Sequence, residues 1–393
     1  MSRHVVITAG VRTAIGTFGG ALSGHAPTAL GTACVAEALR RADLPAAEVG
    51  HVVFGNVILT ESKDAYLARI AAIDAGIPVE VPAMTLNRLC GSGVQAIVSA
   101  AQAIMLGDCD TAVAGGAETM SRAPHLLSTA RFGQRMGDTV ASDHLTGILT
   151  DPFGNGIMGI TAENVAERYG VDRETQDAFA AESQRRAAEA IKDGRFREQI
   201  LPVEVRKGRD TISFDTDEHP KPGTTAETLK GLRPTFKKDG TVTPGNASGI
   251  NDGAAAMVLM EEGRAGREGK PILARIVGYA HAGVEPGVMG IGPVPAVQAL
   301  LKRTGLSLKD FDVIESNEAF AAQACAVAKE LGFDPAKVNP NGGAIALGHP
   351  VGATGAIITL KAAYELKRTG GRYGLVTMCI GGGQGIALAI ERV

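Results

Sequence analysis

Four side chains in this sequence could do chemistry if brought together: Cys90, Asn317, His349 and Cys379. A cysteine with a histidine can act as nucleophile and general base. A second cysteine beside glycines adds an acid/base group and open backbone N–H donors. Each residue alone has an ordinary structural reading. Most free cysteines are small buried hydrophobes, a histidine in Gly-His-Pro can bond to a carbonyl, and Asn317 suits a helix cap. The chemical reading gains because all four sit in glycine-rich turns or at strand ends.

The elements around Cys90 say how it would be held. In Thr85-Leu-Asn-Arg-Leu-Cys90-Gly-Ser-Gly-Val94 the cysteine lies between an apolar run and a helix. Pro82–Leu86 reads as the end of a buried strand. Val94, Ile97, Val98, Ala101, Ile104 and Met105 then recur at helical spacing. Cys90 is thus expected at a helix start, facing free N–H groups and the positive end of the helix dipole. That setting favours the thiolate.

The same order of events returns downstream. Leu39–Leu44 followed by Val49–Asn56 is echoed by Leu301–Leu306 followed by Phe311–Asn317, at an offset of 261–262 residues. Adding the offset to Cys90 lands beside Gly348-His349-Pro350, another glycine turn opening a helix (Ile357, Leu360, Tyr364). Adding it to Gly115-Gly116 lands at Cys379-Ile-Gly-Gly-Gly-Gln-Gly385, after the strand Gly374–Met378. Two similar βαβ-rich halves should therefore face each other, with these turns at one end of paired sheets. Residues 1–118, completed by about 250–270, form the first half, and residues 271–393 the second. Between them, residues 119–249 hold Pro, Gly and charge clusters and a helix from about Thr161 to Ile191, interrupted near Gly170. We read an inserted loop subdomain, with Lys207, Arg209, Lys221, Lys230, Arg233, Lys237 and Lys238 clustered in its last third, either a solvated decoration or a lid that binds something anionic. The strands around Val113, Ala114 and Ile250 are expected to continue a sheet across a partner.

Composition narrows the field. The 393 residues are 45% hydrophobic and 21% charged, as in an ordinary globular α/β protein. A net charge of −3 gives no case for nucleic acid or a membrane surface. Five scattered cysteines make no disulfide framework or metal motif. The chain enters a strand at once, with no secretory or transit pattern, and no apolar run approaches the roughly 20 residues of a membrane span. A cytoplasmic protein is expected.

Taken together, Asn87-Arg-Leu-Cys90-Gly-Ser-Gly93, Asn317-Glu-Ala-Phe320, Gly348-His349-Pro350 and Cys379-Ile-Gly-Gly-Gly-Gln-Gly385 resemble the thiolase family. Thr243–Gly253 and Met158–Asn164 match as well, so the resemblance runs the length of the chain. It implies a duplicated αβαβα layered fold and a Claisen condensation of two acyl-CoA thioesters, or the reverse cleavage of a 3-ketoacyl-CoA. Cys90 would accept the acyl group, His349 would take its proton, and Cys379 would move the α-proton of the second substrate. His349 with a water held by Asn317 would stabilise one oxyanion, and the N–H groups of Cys90 and Gly381 the other. Met158, Lys221, Thr228, Phe236, Ser248, Ala319 and Phe320 would bind coenzyme A. The substrates would be acetyl-CoA and 3-ketoacyl-CoA, with no metal or redox cofactor, in a homotetramer built as a dimer of dimers. Two positions depart from the biosynthetic pattern: Ile157 replaces a histidine, and Lys221 an arginine. Lysine meets a phosphate as a point charge without arginine's bidentate fork. The alternatives are a degradative 3-ketoacyl-CoA thiolase, a carrier-protein ketoacyl synthase, and a non-catalytic acyl-CoA-binding protein. The second cysteine and basic insert argue against the synthase, and the presence of both Cys90 and His349 against the last.

Overall fold

The strand Asn251–Glu261 (NDGAAAMVLME) is buried along nearly its whole length, and so is its neighbour Thr111–Thr119 (TAVAGGAET). Such unbroken runs of small and β-branched residues mark strands covered on both faces. They lie at the centre of the first half, whose strands run in the order Val5–Thr13, Asn251–Glu261, Thr111–Thr119, His51–Gly55, Ala83–Leu86. The first three pair antiparallel and the last two add in parallel. The second half repeats the pattern with Ala274–Gly283, Gln384–Glu391, Tyr373–Ile380 and Phe311–Ser316. Where the first half has its fifth strand, the second has only a bridge between Ile314 and Val338. The halves also meet edge to edge, through Val6 opposite Arg275 and Ile7 opposite Ala274. The computed structural model describes residues 3–393.

Two helices form the middle layer. Ser92–Leu106 packs on strands of the first half, and Val351–Thr369 packs on it and on strands of both halves. Helix Pro27–Arg41 covers the outer face of the first sheet and Pro293–Thr304 that of the second. The result is a five-layer αβαβα arrangement. The stretch Leu89–Leu106 has a mean hydropathy of 1.5 over 18 residues, so one run does reach the composition of a membrane span. Its position explains this: a helix covered by a sheet and by another helix is apolar nearly all round.

Two expectations about strands are corrected. Ala83–Leu86 is not buried: it is the last strand of the sheet, and Met84 is 41% exposed. Val113 and Ala114, expected to continue across a partner, are fully buried with a strand on each side. The sheet edge left open is Ala83–Leu86.

The chain leaves this body after Thr119 and returns at Asn251. The expected long helix is two, Met158–Tyr169 and Arg173–Lys192, parted at Gly170 with φ +63°. A buried ion pair ties the excursion down. Arg12 donates Nη1 and Nη2 to Asp217 at 2.7 and 2.9 Å, and Nε to Gln199 at 2.8 Å. Breaking one side of such a pair strands a buried charge, at a cost of about 3–5 kcal/mol.

The middle helices touch backbone to backbone. A Cβ on Gly355 would lie 2.3 Å from Val94 N, and one on Gly93 2.4 Å from Ala356 N. Gly355→Ala should therefore lower stability by about 1–3 kcal/mol, from overpacking with no flexible neighbour to give way. Gly147→Ala, which meets nothing within 4 Å, serves as the control. Urea midpoints measured side by side test this, and equal midpoints would refute it.

Candidate active site

Cys90 sits on a sharp turn between strand Ala83–Leu86 and helix Ser92–Leu106. Leu89, just before it, holds φ +47°, a left-handed conformation that costs a branched residue about 1–3 kcal/mol. The neighbours hold it there. Leu89 N–H donates to Asn87 Oδ1 at 2.8 Å, Arg88 N–H to Ser92 Oγ at 2.8 Å, and Ser92 Oγ to Leu89 O at 2.7 Å. The turn aims the cysteine into the molecule.

The expectation that the helix start favours a thiolate is corrected. Burial pushes the Cys90 thiol up to about 11, and nearby Glu118 adds to the rise. The backbone N–H groups of Gly381 and of Cys90 itself pull the other way, and desolvation outweighs them. Cys90 as a residue is only half-buried, but the surroundings of its sulfur are dense. The resting group is a thiol. It needs a base, and it faces two N–H groups suited to a developing negative charge.

A candidate base shares a cavity with it. His349 precedes helix Val351–Thr369, is buried, and is pushed down to about 4 by desolvation alone. It is neutral at pH 7. Its Nδ1 lies 2.6 Å from Thr354 Oγ1 and its Nε2 3.5 Å from Asn317 Nδ2. Asn317 is itself buried, with its N–H on Thr377 O at 3.0 Å and its Oδ1 lacking any protein partner. That free acceptor suits the water expected there. Cys379 ends strand Tyr373–Ile380 fully buried, and burial plus the charge of Cys90 push its thiol well above the usual range. It packs with Met158, Met289, Ala319 and Phe320.

A cavity of about 70 Å³ is lined by Cys90, His349, Gly381, Met158, Ser248 and Phe320 among others, while Asn317 and Cys379 lie outside its lining. Ala319 lines it too. Of the expected coenzyme A residues, Met158, Ser248, Ala319 and Phe320 thus share one space with the cysteine. Phe236 stands behind, edge-on to Phe320 at 6.2 Å. Lys221 and Thr228 do not reach the cavity. Both are exposed; Lys221 N–H donates to Gln184 Oε1 at 2.8 Å, and Thr228 Oγ1 accepts the N–H of Thr225, the N-cap of helix Ala226–Lys230, at 3.0 Å. Sequence reasoning missed Thr354, Asn251 and Glu118. Asn251 Oδ1 accepts the His349 N–H at 2.9 Å. Glu118 accepts from Gly352, Val57 and Ile58 N–H at 2.8–3.1 Å, and burial pushes it up to about 8. Only the i+5 spacing of a hydroxyl after His349 could have hinted at Thr354.

The comparisons agree with this geometry. The thiolase N-terminal domain model matches residues 5–263 and the thiolase C-terminal domain model residues 270–392. The chain is 61% identical to the beta-ketothiolase BktB of Cupriavidus necator, over 100% of both chains. It is 53% identical to an acetyl-CoA acetyltransferase of Pseudomonas aeruginosa, over 99% of this chain and 100% of that one. Among solved structures it is similar to the human mitochondrial 3-ketoacyl-CoA thiolase in complex with CoA. There the TM-score is 0.96 at 45% identity, covering 100% of this chain and 98% of that one.

Two consequences can be measured. Prior acetyl-CoA should protect Cys90, but not half-exposed Cys109, from iodoacetamide, as read by peptide mapping; equal labelling of Cys90 with and without acetyl-CoA would contradict this. A histidine depressed to about 4 stays a competent base until protonated, so the acid limb of kcat/KM assigned to it should fall as pH drops through about 4, not 6.5.

Proposed function

The chain belongs to the thiolase family and is an acyltransferase acting on CoA thioesters, and from that premise we propose a course for the residues around Cys90. The single observation that carries it is the convergence of Cys90, His349 and the Gly381 N–H on one cavity. His349 Nε2 takes the Cys90 proton as the sulfur attacks the thioester carbonyl of acetyl-CoA. The oxyanion forms against the N–H groups of Cys90 and Gly381. Coenzyme A leaves as its thiol, protonated by Cys379, and the acetyl group stays on Cys90. Cys379 is then a thiolate and His349 an imidazolium. The Cys379 thiolate takes an α-proton from a second acetyl-CoA, whose enolate oxygen faces the imidazolium and the Asn317 water. The α-carbon attacks the acetyl group, the Cys90 sulfur leaves, and His349 returns its proton. Acetoacetyl-CoA and coenzyme A result, and the reverse course cleaves 3-ketoacyl-CoA. Every proton and electron pair moves between side chains and substrates, so no metal or redox group enters.

The pantetheine arm would lie along Ser248, Ala319 and Phe320, with Met158 over the acyl group and Phe236 on the adenine side. Lys221 and Thr228, exposed above the groove, would meet the nucleotide. Unpaired cysteines fit a reducing, cytoplasmic setting. The open edge at Ala83–Leu86 and the exposed apolar residues Leu127, Phe132 and Met136 support a homotetramer paired in two ways. A 40.4 kDa monomer in light scattering at micromolar concentration would refute that assembly.

The division of labour between the cysteines is tested by trapping labelled acetyl groups. Cys379→Ser should still form the acetyl-enzyme yet lose α-proton exchange and condensation. Cys90→Ser should lose acylation itself. Label held on Cys379 in Cys90→Ser, with none in Cys379→Ser, would reverse the assignment. The loss in either case should be several orders of magnitude, about 10³-fold or more, as for members of one catalytic unit.

A further inference from the structure

We propose that Thr354 is a positioning residue that holds His349 in its Nδ1–H tautomer and so keeps the Nε2 lone pair turned toward Asn317, beside the cavity that His349 shares with Cys90. The inference rests on the reading of His349 as the base, but it begins from the other edge of the ring. Thr354 lies in the first turn of helix Val351–Thr369 and is 2% exposed. A hydroxyl has a single proton to give. Thr354 Oγ1 lies 2.9 Å from the carbonyl of Pro350, one turn back, and can donate its proton there beside the Ala353 and Thr354 N–H groups. Its lone pairs remain, and His349 Nδ1 stands 2.6 Å away. With the hydroxyl proton directed at Pro350 O, that contact is a hydrogen bond when the ring carries its hydrogen on Nδ1.

The opposite edge demands the same state. Asn317 Nδ2 is a donor, and at 3.5 Å it faces Nε2. A hydrogen on Nε2 would set two donors against each other. Two neighbours from different segments thus select one tautomer. Asn251 fixes the main chain by accepting the His349 N–H at 2.9 Å, so the ring turns about a fixed stem.

The chemical nature of the partner matters as well. A carboxylate on Nδ1 would favour the imidazolium and raise the pKa of the ring. A hydroxyl orients the ring while adding no charge. The ring therefore stays neutral at rest in its buried site, and gains its charge only when a thiolate or oxyanion forms beside it.

Histidine-selective nitrogen NMR tests this directly. The difference between spectra of the protein and of His349→Gln gives the His349 signals, which should show a pyrrole-type Nδ1 and a pyridine-type Nε2. A protonated Nε2 in the unmodified protein would overturn the proposal without any variant of Thr354. Thr354→Val should populate the Nε2–H tautomer and lower kcat roughly 100-fold, with KM for acetyl-CoA moved less than about threefold. Thr354→Ser, which keeps the hydroxyl, should restore both spectrum and rate. A Thr354→Val enzyme that is slow with an unchanged tautomer would show a merely structural role, and one with unchanged rate and tautomer would refute the proposal as well. If the Thr354→Val substitution destabilises the fold, the spectrum of the unmodified protein still decides. Should His349→Gln acylate at the normal rate, the reading of His349 as base fails, and the tautomer result stands apart from it.

Discussion

Everything in the site depends on two helices crossing with no side chain between them. Gly93 and Gly355 meet backbone to backbone, and Gly55 and Gly116 let the same helix approach from the sheet. Cβ atoms on these last two would lie 2.8 and 2.2 Å from Gly352 O. Any larger residue would push the helix starting at Val351 away from the one starting at Ser92. Those helix starts are where His349 and Cys90 hang. The separation of the two turns is thus set by the thickness of a polypeptide backbone, and several of the 51 glycines stand at this crossing.

Burial then decides the charge state. Cys90 and Cys379 are pushed up, His349 is pushed down, and Glu118 is pushed up, each chiefly by desolvation. The resting site favours neutral forms, and charge is created in pairs when substrate is present. Elsewhere the core admits ions only with partners. Lys361 meets Glu315 at 2.9 Å and Gly342 O at 2.6 Å, while Arg12 meets Asp217. These pairs lie on the middle helix and at the root of the long excursion. They hold the elements that carry the site without placing a net charge in it.

Much of this was legible in the sequence, for reasons that can be named. The offset of 261–262 residues is the offset between Gly93 and Gly355, and both halves keep the same antiparallel, antiparallel, parallel order of strands. Duplication leaves a trace in spacing, so the convergence of Cys90 and His349 could be anticipated. The charge state of Cys90 could not. A helix start is visible in sequence, but the burial that outweighs it is not, since Cys90 is enclosed beside residues far along the chain such as Met158 and Phe320. Strand burial failed for a similar reason: Ala83–Leu86 is as apolar as an inner strand, and only the strand order makes it an edge. Thr354 was invisible because its role lies in a hydrogen bond that spacing alone does not specify.

The segment from Asn317 to Phe320 shows how substrate binding and chemistry come to be one thing. Gln323 Nε2 donates to Asn317 O at 3.2 Å, and its Oε1 accepts the Phe320 N–H at 3.1 Å. Between them Ala319 O accepts the Ser248 N–H at 2.9 Å, and Phe320 bridges to Ala247. The wall along which an extended arm would lie is therefore the same stretch of backbone that aims Asn317 at His349. Its neighbour Glu318 is buried and held by Ser183 and Asn339 at 2.7 and 2.8 Å, which ties that wall to helix Arg173–Lys192. The backbone of this wall is held from behind at Asn317, Glu318, Ala319 and Phe320. In the proposed course, binding energy along the arm would hold the thioester near Cys90 and His349, and such positioning is what a reaction between two bound carbon centres needs most.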